Sequence, residues 1–315
     1  MAAHACRSPQ RTRRRRRSRD RALRLPKLGC QHSRRAALCV ARYNRTTPSA
    51  TCRRRKGGGL PLSLNMICLD LNLRALSIWG HQRRLGDDPG YLVHAATRKI
   101  FGELGPQPFF VQSERSRVLG YTSADETFLL RSLENCRSNE GPDSLLPTVF
   151  NLPEICSRVM PEQWSKGSRY HFSVYCRPTI RRGKVESDVW LMKNYFACEE
   201  ARKNGTFDGT IHEFRQLHKG EIEETYRQWL QRRFAPAAEL RNVVIAGSHS
   251  SYLTTRSAKD HRGAPTHSER RSYPETTFVG ELCVTEPQAF ERLVRHGVGR
   301  HCAFGFGMLL LKAVQ

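Results

Sequence analysis

The first sustained pattern along the chain is an alternation. In Met66-Ile-Cys-Leu-Asp-Leu-Asn-Leu-Arg the odd-numbered positions are all apolar and the later even ones polar, the period of a half-buried strand. Gly80, Gly86 and Asp87-Asp88-Pro89-Gly90 follow and read as a loop that ends in helix-start residues. From Tyr91 to Leu104 the spacing of Leu92, Ala95, Ala96, Lys99, Ile100 and Glu103 predicts a helix, closed by Gly105-Pro106. Pro108 to Gln112 and Arg117 to Thr122 read as strands around the charged turn Ser113 to Ser116. A helix from Ala124 to Asn135, a loop from Ser138 to Pro147 and an alternating strand from Arg169 to Cys176 complete the first half.

The order strand, helix, strand, strand, helix, strand is that of a ferredoxin-like unit. The second half repeats it less cleanly. Tyr226, Trp229, Leu230 and Phe234 mark an amphipathic helix over Glu221 to Phe234, stopped by Pro236. Strands are expected at Arg241 to Ala246 and Thr276 to Val284, a helix over Pro287 to His296, and a closing strand over Cys302 to Leu311. The expected fold class is therefore α+β: tandem ferredoxin-like (RRM-like) domains at residues 66–178 and 179–315. No internal repeat is visible residue by residue, so the symmetry rests on element order.

Composition then divides the chain. Its 315 residues carry 53 Lys and Arg against 29 Asp and Glu, a formal charge of +24. Nineteen of the basic residues and a single acid, Asp20, lie in residues 1–65, so that segment holds +18 and the remainder +6. The run Arg13 to Arg17, the pair Arg34-Arg35 and the cluster Arg53 to Lys56 have no apolar period, and such a stretch cannot bury enough surface to offset chain entropy. Alone, it reads as a nucleic-acid-binding arm, a nuclear localisation run or an Arg-rich presequence. The abrupt change of composition at Met66 favours a disordered basic N-terminal extension translated from a start codon placed too early. The 38% hydrophobic content suffices for a core, and no apolar run approaches the roughly 20 residues that span a bilayer. No membrane partner is expected.

Eleven cysteines, an odd and irregularly spaced set, argue against a secreted disulfide framework and for a reducing cytoplasm. Cys283, His296 and His301 have the spacing of half a zinc finger, but Thr277 to Leu282 contains no second cysteine. Cys283 and Cys302 are expected to be small buried hydrophobes, and no metal or small-molecule cofactor is expected.

The chemistry concentrates near the C-terminus. Gly297-Val-Gly299-Arg300-His-Cys-Ala-Phe-Gly305-Phe-Gly307 has two Gly-x-Gly pairs five residues apart, between a helix and an apolar strand. This is not the dinucleotide fingerprint, because the order and spacing differ. Paired glycines let main chain approach a bound backbone while N–H groups and Arg300 meet phosphates; equally, they serve a tight helix-to-strand connection.

The segment from Gly297 to Leu311 closely resembles the C-terminal glycine-rich motif of the repeat-associated (RAMP) CRISPR proteins, specifically the CasE-type endoribonucleases of the Cascade system. Tyr91-Leu-Val-His-Ala-Ala-Thr-Arg-Lys-Ile-Phe-Gly is similar to that family's first helix, which carries a catalytic histidine. The resemblance covers residues 66 to 315. It implies an antiviral-defence enzyme that cleaves CRISPR repeat RNA without metal and keeps the hairpin, within a complex of other Cascade subunits. It also implies His94 as general acid or base and Tyr91 as its positioning or charge-stabilising partner. The glycines 297, 299, 305 and 307 and Arg300 would contact RNA. Between Thr254 and Ser272, where the family has a basic hairpin, Arg256, Lys259, Arg262, Arg270 and Arg271 are expected to meet the stem's phosphates. Two other readings stand beside this one. A non-catalytic RNA-binding RAMP subunit would need no histidine on the first helix, and a ribosomal or chromatin-type polyanion binder would need no glycine-rich terminus.

Overall fold

The computed structural model of the protein describes residues 63–137, 141–150, 155–183, 185–256 and 268–314. Strand β1 (Asn65–Asp70) follows the alternation, with Ile67 and Leu69 buried on one face. Packing extends upstream of the boundary drawn from composition. Leu64 is already in the core, and the Asn65 side-chain amide donates to the Ala124 carbonyl at 2.9 Å.

A helix, α1 (Leu73–Gln82), occupies the stretch expected to be a loop. The Asn72 side chain caps it, accepting from the Ala75 N–H at 3.0 Å, and Ala75, Leu76 and Trp79 form its buried stripe. Gly80 looked like a breaker because glycine has poor helix propensity. It is instead a contact residue: a Cβ there would meet Leu92 Cδ2 at 2.5 Å. Helix α2 (Pro89–Phe101) starts as expected, with Pro89 in the first turn and Asp88 as cap, accepting from the Tyr91 N–H at 2.8 Å. Strands β2 (Phe109–Gln112) and β3 (Arg117–Thr122), helices α3 (Glu126–Cys136) and α4 (Leu146–Val149) and strand β4 (Cys156–Val159) complete the first unit.

The sheet order is β2-β3-β1-β4, antiparallel throughout. This is the ferredoxin-like arrangement, but its fourth strand is β4 and not Arg169 to Cys176. The latter, β5 (Arg169–Cys176), pairs on both sides with strands of the second sheet. The error has a physical cause: β4 is a short edge strand with no buried residue, so no alternation marks it.

The second unit runs from β5 through a hairpin, β6 (Thr179–Arg182) and β7 (Val185–Asp188), and two helices that were not anticipated, α5 (Val189–Lys203) and α6 (Ile211–Leu217). Helix α7 (Lys219–Phe234), strands β8 (Ala238–Arg256) and β9 (Ser268–Val284), helix α8 (Pro287–His296) and strand β10 (Leu309–Ala313) follow. The order β10-β5-β9-β8 repeats that of the first sheet, with each first strand between its fourth and third. Two ferredoxin-like units in tandem thus account for the described chain, the hairpin and α5–α6 being inserted after the first strand of the second. Strands β8 and β9, at 19 and 17 residues, far exceed the segments expected from apolar content.

Helices α1 to α4 cover one face of the first sheet over Ile67, Leu69, Phe109 and Val118. Its other face presents Leu119 and Tyr121 to the core of the second unit, where Trp190, Tyr226, Trp229, Phe234, Phe278 and Phe290 lie. The Tyr121 hydroxyl donates to the Leu309 carbonyl at 2.8 Å, joining β3 to β10. The shared core brings the end of the chain against the first unit.

Candidate functional site

The connection between α8 and β10 is the glycine-rich segment. Gly297, Gly299, Gly305 and Gly307 all have positive φ, between 74° and 88°, a region costly for any residue with a Cβ. A Cβ at Gly307 would also approach the Val298 carbonyl oxygen to 2.5 Å. The Gly297 N–H donates to Leu293, Val298 N–H to the Gly307 carbonyl at 2.8 Å, and the Gly307 N–H to Tyr175 on β5 at 2.7 Å. Geometry therefore demands the glycines, and the amides of Gly297 and Gly307 are spent inside the protein, not offered to a ligand.

The loop's 3₁₀ turn, Cys302–Phe304, carries Phe304 onto α2. The Phe304 ring lies 5.2 Å from the His94 ring, edge to face, and 5.9 Å from the Tyr91 ring. Gly90 permits this approach, since a Cβ there would stand 2.1 Å from the Phe304 carbonyl oxygen. Residues 91 and 94 are nearly one turn apart, so both side chains reach the same face. Helix α2 and the glycine-rich loop, from opposite ends of the domain pair, thus form one site.

His94 is half-buried and its pKa is held below the usual histidine value. Burial is the main cause, because it disfavours the charged imidazolium, and the Arg98 guanidinium one turn along adds repulsion. The lowered pKa favours the neutral imidazole, the form a general base requires. Tyr91 is 38% exposed beside it.

Sequence reasoning missed the groups that hold the loop. His301 Nε2 lies 2.8 Å from Glu186 Oε1 on β7, and the Thr179 hydroxyl donates to the same oxygen at 2.7 Å. Arg300 Nε is 3.2 Å from it, near enough for charge attraction though not aligned as a hydrogen bond. Burial alone would raise the Glu186 pKa; the hydrogen bonds from His301 and Thr179 and the charges of His301 and Arg300 outweigh it and bring it down to about 2. Just after β5, the fully buried Arg177 stacks its guanidinium 4.1 Å from the Phe306 ring centre and pairs with Glu275, which also accepts from the hydroxyls of Tyr175 and Ser251. Arg177 lies in the short connection between β5 and β6 and Glu186 in a four-residue strand, so no alternation marked either as facing inward.

Arg300 is therefore in the site but tied to Glu186. Lys259 and Arg262 lie outside the described residues, as do the side chains of Arg256, Arg270 and Arg271; the backbone places 256, 270 and 271 in the distal half of the β8–β9 ribbon, with Arg270 opposite Thr254. The zinc-like trio is dispersed: Cys283 Sγ faces the Gly167 carbonyl at 3.6 Å, His296 the Arg292 carbonyl on its own helix, and His301 Glu186. Cys283 and Cys302 are only partly buried, less than expected of core cysteines. Among the described residues no helix is long and apolar enough to cross a membrane.

No curated protein sequence matches the chain. Among solved structures, the CRISPR endoribonuclease Cse3 bound to a 19 nt RNA is similar, with 15% identity, 79% of this chain and 99% of that chain covered, and a TM-score of 0.47. Thermus thermophilus Cse3 bound to an RNA representing a pre-cleavage complex gives 16%, 79%, 99% and 0.45. The CRISPR-associated protein Cas6e from Escherichia coli K-12 gives 14%, 80%, 100% and 0.39. A sequence family described as CRISPR associated protein matches residues 66–313, spanning both ferredoxin-like units, and the chain belongs to that family.

Proposed function

We propose that the protein is an endoribonuclease that cleaves CRISPR repeat precursor RNA at the repeat hairpin, retains the processed guide and works as a subunit of a Cascade complex. The observation that carries the reading is the convergence of Tyr91 and His94 on Phe304 of the glycine-rich loop, in a chain of the CRISPR-associated family. RNA supplies its own nucleophile, so the reaction needs no metal. The 2′-oxygen attacks the adjacent phosphorus, the bond to the 5′-oxygen breaks, and a 2′,3′-cyclic phosphate and a 5′-hydroxyl result. A neutral His94 takes or relays a proton in this exchange, worth typically 10²- to 10⁴-fold in rate. Tyr91 positions the phosphate or steadies its charge. The β8–β9 ribbon, with Arg256, Arg270 and Arg271 in its distal half, and Lys259 and Arg262 in the sequence between its two strands engage the RNA stem by charge and shape.

The test is incubation with end-labelled repeat RNA in excess chelator. Cleavage to a cyclic phosphate, blocked by a 2′-deoxy substitution at the cut site and abolished by His94→Ala with hairpin binding intact, is the expected result. Dependence on magnesium refutes the mechanism, and hairpin binding without any cleavage identifies a non-catalytic RNA-binding subunit.

A further inference from the structure

The glycine-rich loop carries a second histidine. His301 sits in the left-handed region at φ 63°, on the loop that bears Phe304, and its ring lies 6.2 Å from the Phe304 ring. His94 lies 5.2 Å from the same ring, so the two imidazoles flank one phenyl group and their separation cannot exceed the sum of those distances. One nitrogen of His301 is committed: Nε2 faces Glu186 at 2.8 Å, and Thr179 holds that carboxylate in place. Among the described residues Nδ1 has no hydrogen-bond partner, and the side chain keeps 13% of its surface exposed. A carboxylate fixing one imidazole nitrogen while the other is left for the reacting atoms is how a proton-transfer histidine is oriented on many unrelated folds.

We propose that His301, held by Glu186, is a second proton-transfer group of this site, so that His94 and His301 divide between them the two proton transfers of RNA cleavage. The inference rests on the proposed cleavage reaction and deepens it. One imidazole accepts the proton of the 2′-hydroxyl as the 2′-oxygen bonds to phosphorus. The other, as an imidazolium, gives its proton to the 5′-oxygen as the P–O bond breaks. One proton is taken and one released, and exchange with water restores the starting forms. Glu186 acts through His301 and is a positioning residue.

The experiment is single-turnover cleavage by the full chain of two repeat hairpins, one all-oxygen and one with sulfur bridging at the 5′ position of the cut phosphate. A thiolate leaves without being protonated, so the sulfur substrate relieves the loss of a general acid and not of a general base. The variant is His301→Asn, because asparagine tolerates positive φ and preserves the loop. On the oxygen substrate it is expected to cleave at least about 100-fold more slowly, the lower end of general acid–base effects, with hairpin binding unchanged. The sulfur substrate should restore either His301→Asn or His94→Ala and leave the other slow. Glu186→Gln should also slow cleavage, and adding it to His301→Asn should slow it no further, as for residues acting as a unit. Wild-type rates for His301→Asn overturn the inference while leaving the enzyme reading intact, and so does sulfur rescue of both histidine variants or of neither. Failure of the wild-type protein to cleave either substrate overturns both readings.

Discussion

Around His94 the decisive residues are small or distant in sequence. Gly90 has no chemistry, yet it sets how closely α2 meets the loop. Gly90→Ala must push Phe304 away from a carbonyl contact of 2.1 Å, and we expect slower cleavage and a lower melting temperature. Gly220→Ala on α7, where no atom lies within 4 Å of the added carbon, is the control. Its expected effect is neutral to stabilising by about 0.4–1 kcal/mol, read by urea denaturation. Glu186 gives a pH prediction. Its pKa falls from an ordinary 4.5 to about 2 on folding, so the folded state favours its ionised form. That contribution is complete above about pH 4.5 and is lost as pH drops towards 2. Melting curves of Glu186→Gln should therefore lie below wild type near neutrality and fall less steeply across that acid window; parallel curves would contradict the assignment.

At the scale of elements, the parts the sequence hid are those whose stability does not come from an apolar stripe. Helix α5 is capped by Asp188, which is 4% exposed. Its carboxylate caps Trp190 N–H at 2.7 Å, accepts from the Tyr226 hydroxyl at 2.7 Å and pairs with Arg215, joining the β6–β7 hairpin to α5, α6 and α7. Asp188→Ala strands a guanidinium in a largely buried site and should cost about 3–5 kcal/mol in urea denaturation, the range for breaking one side of a buried pair. The β8–β9 ribbon extends on Ser, Thr and Arg residues that pair backbone to backbone, with no periodic apolar signal beyond the core. Its proposed role predicts a salt effect. Neutralising Arg256, Lys259, Arg270 and Arg271 together should weaken hairpin binding and flatten the slope of log affinity against log salt by about 3, at roughly 0.7–0.9 per phosphate contact. An unchanged slope would move the RNA elsewhere.

For the whole molecule, charge and function separate. All nineteen basic residues of the N-terminal segment lie within residues 1–60, ahead of Leu64, the first core residue among those described. Removing residues 1–60 should reduce salt-sensitive binding to unrelated RNA, measured by titration at several salt concentrations, while repeat cleavage persists. Loss of cleavage would assign that segment a part in the reaction. The tandem architecture and helix α2 were legible in the sequence because period and capping are local properties. That Tyr91 and His94 share one helix face was legible from their spacing, whereas the role proposed for them came from the family resemblance. The glycine pairs were legible as a motif, but not as a choice between ligand contact and chain geometry. That choice needed the hydrogen bonds that consume the Gly297 and Gly307 amides. Only the tertiary structure could assign β5 to the second sheet, bring Phe304 onto His94, or set Glu186 against His301 from 115 residues away. Period and propensity act over a few residues, whereas strand pairing and the placing of charges depend on which distant surfaces share a core.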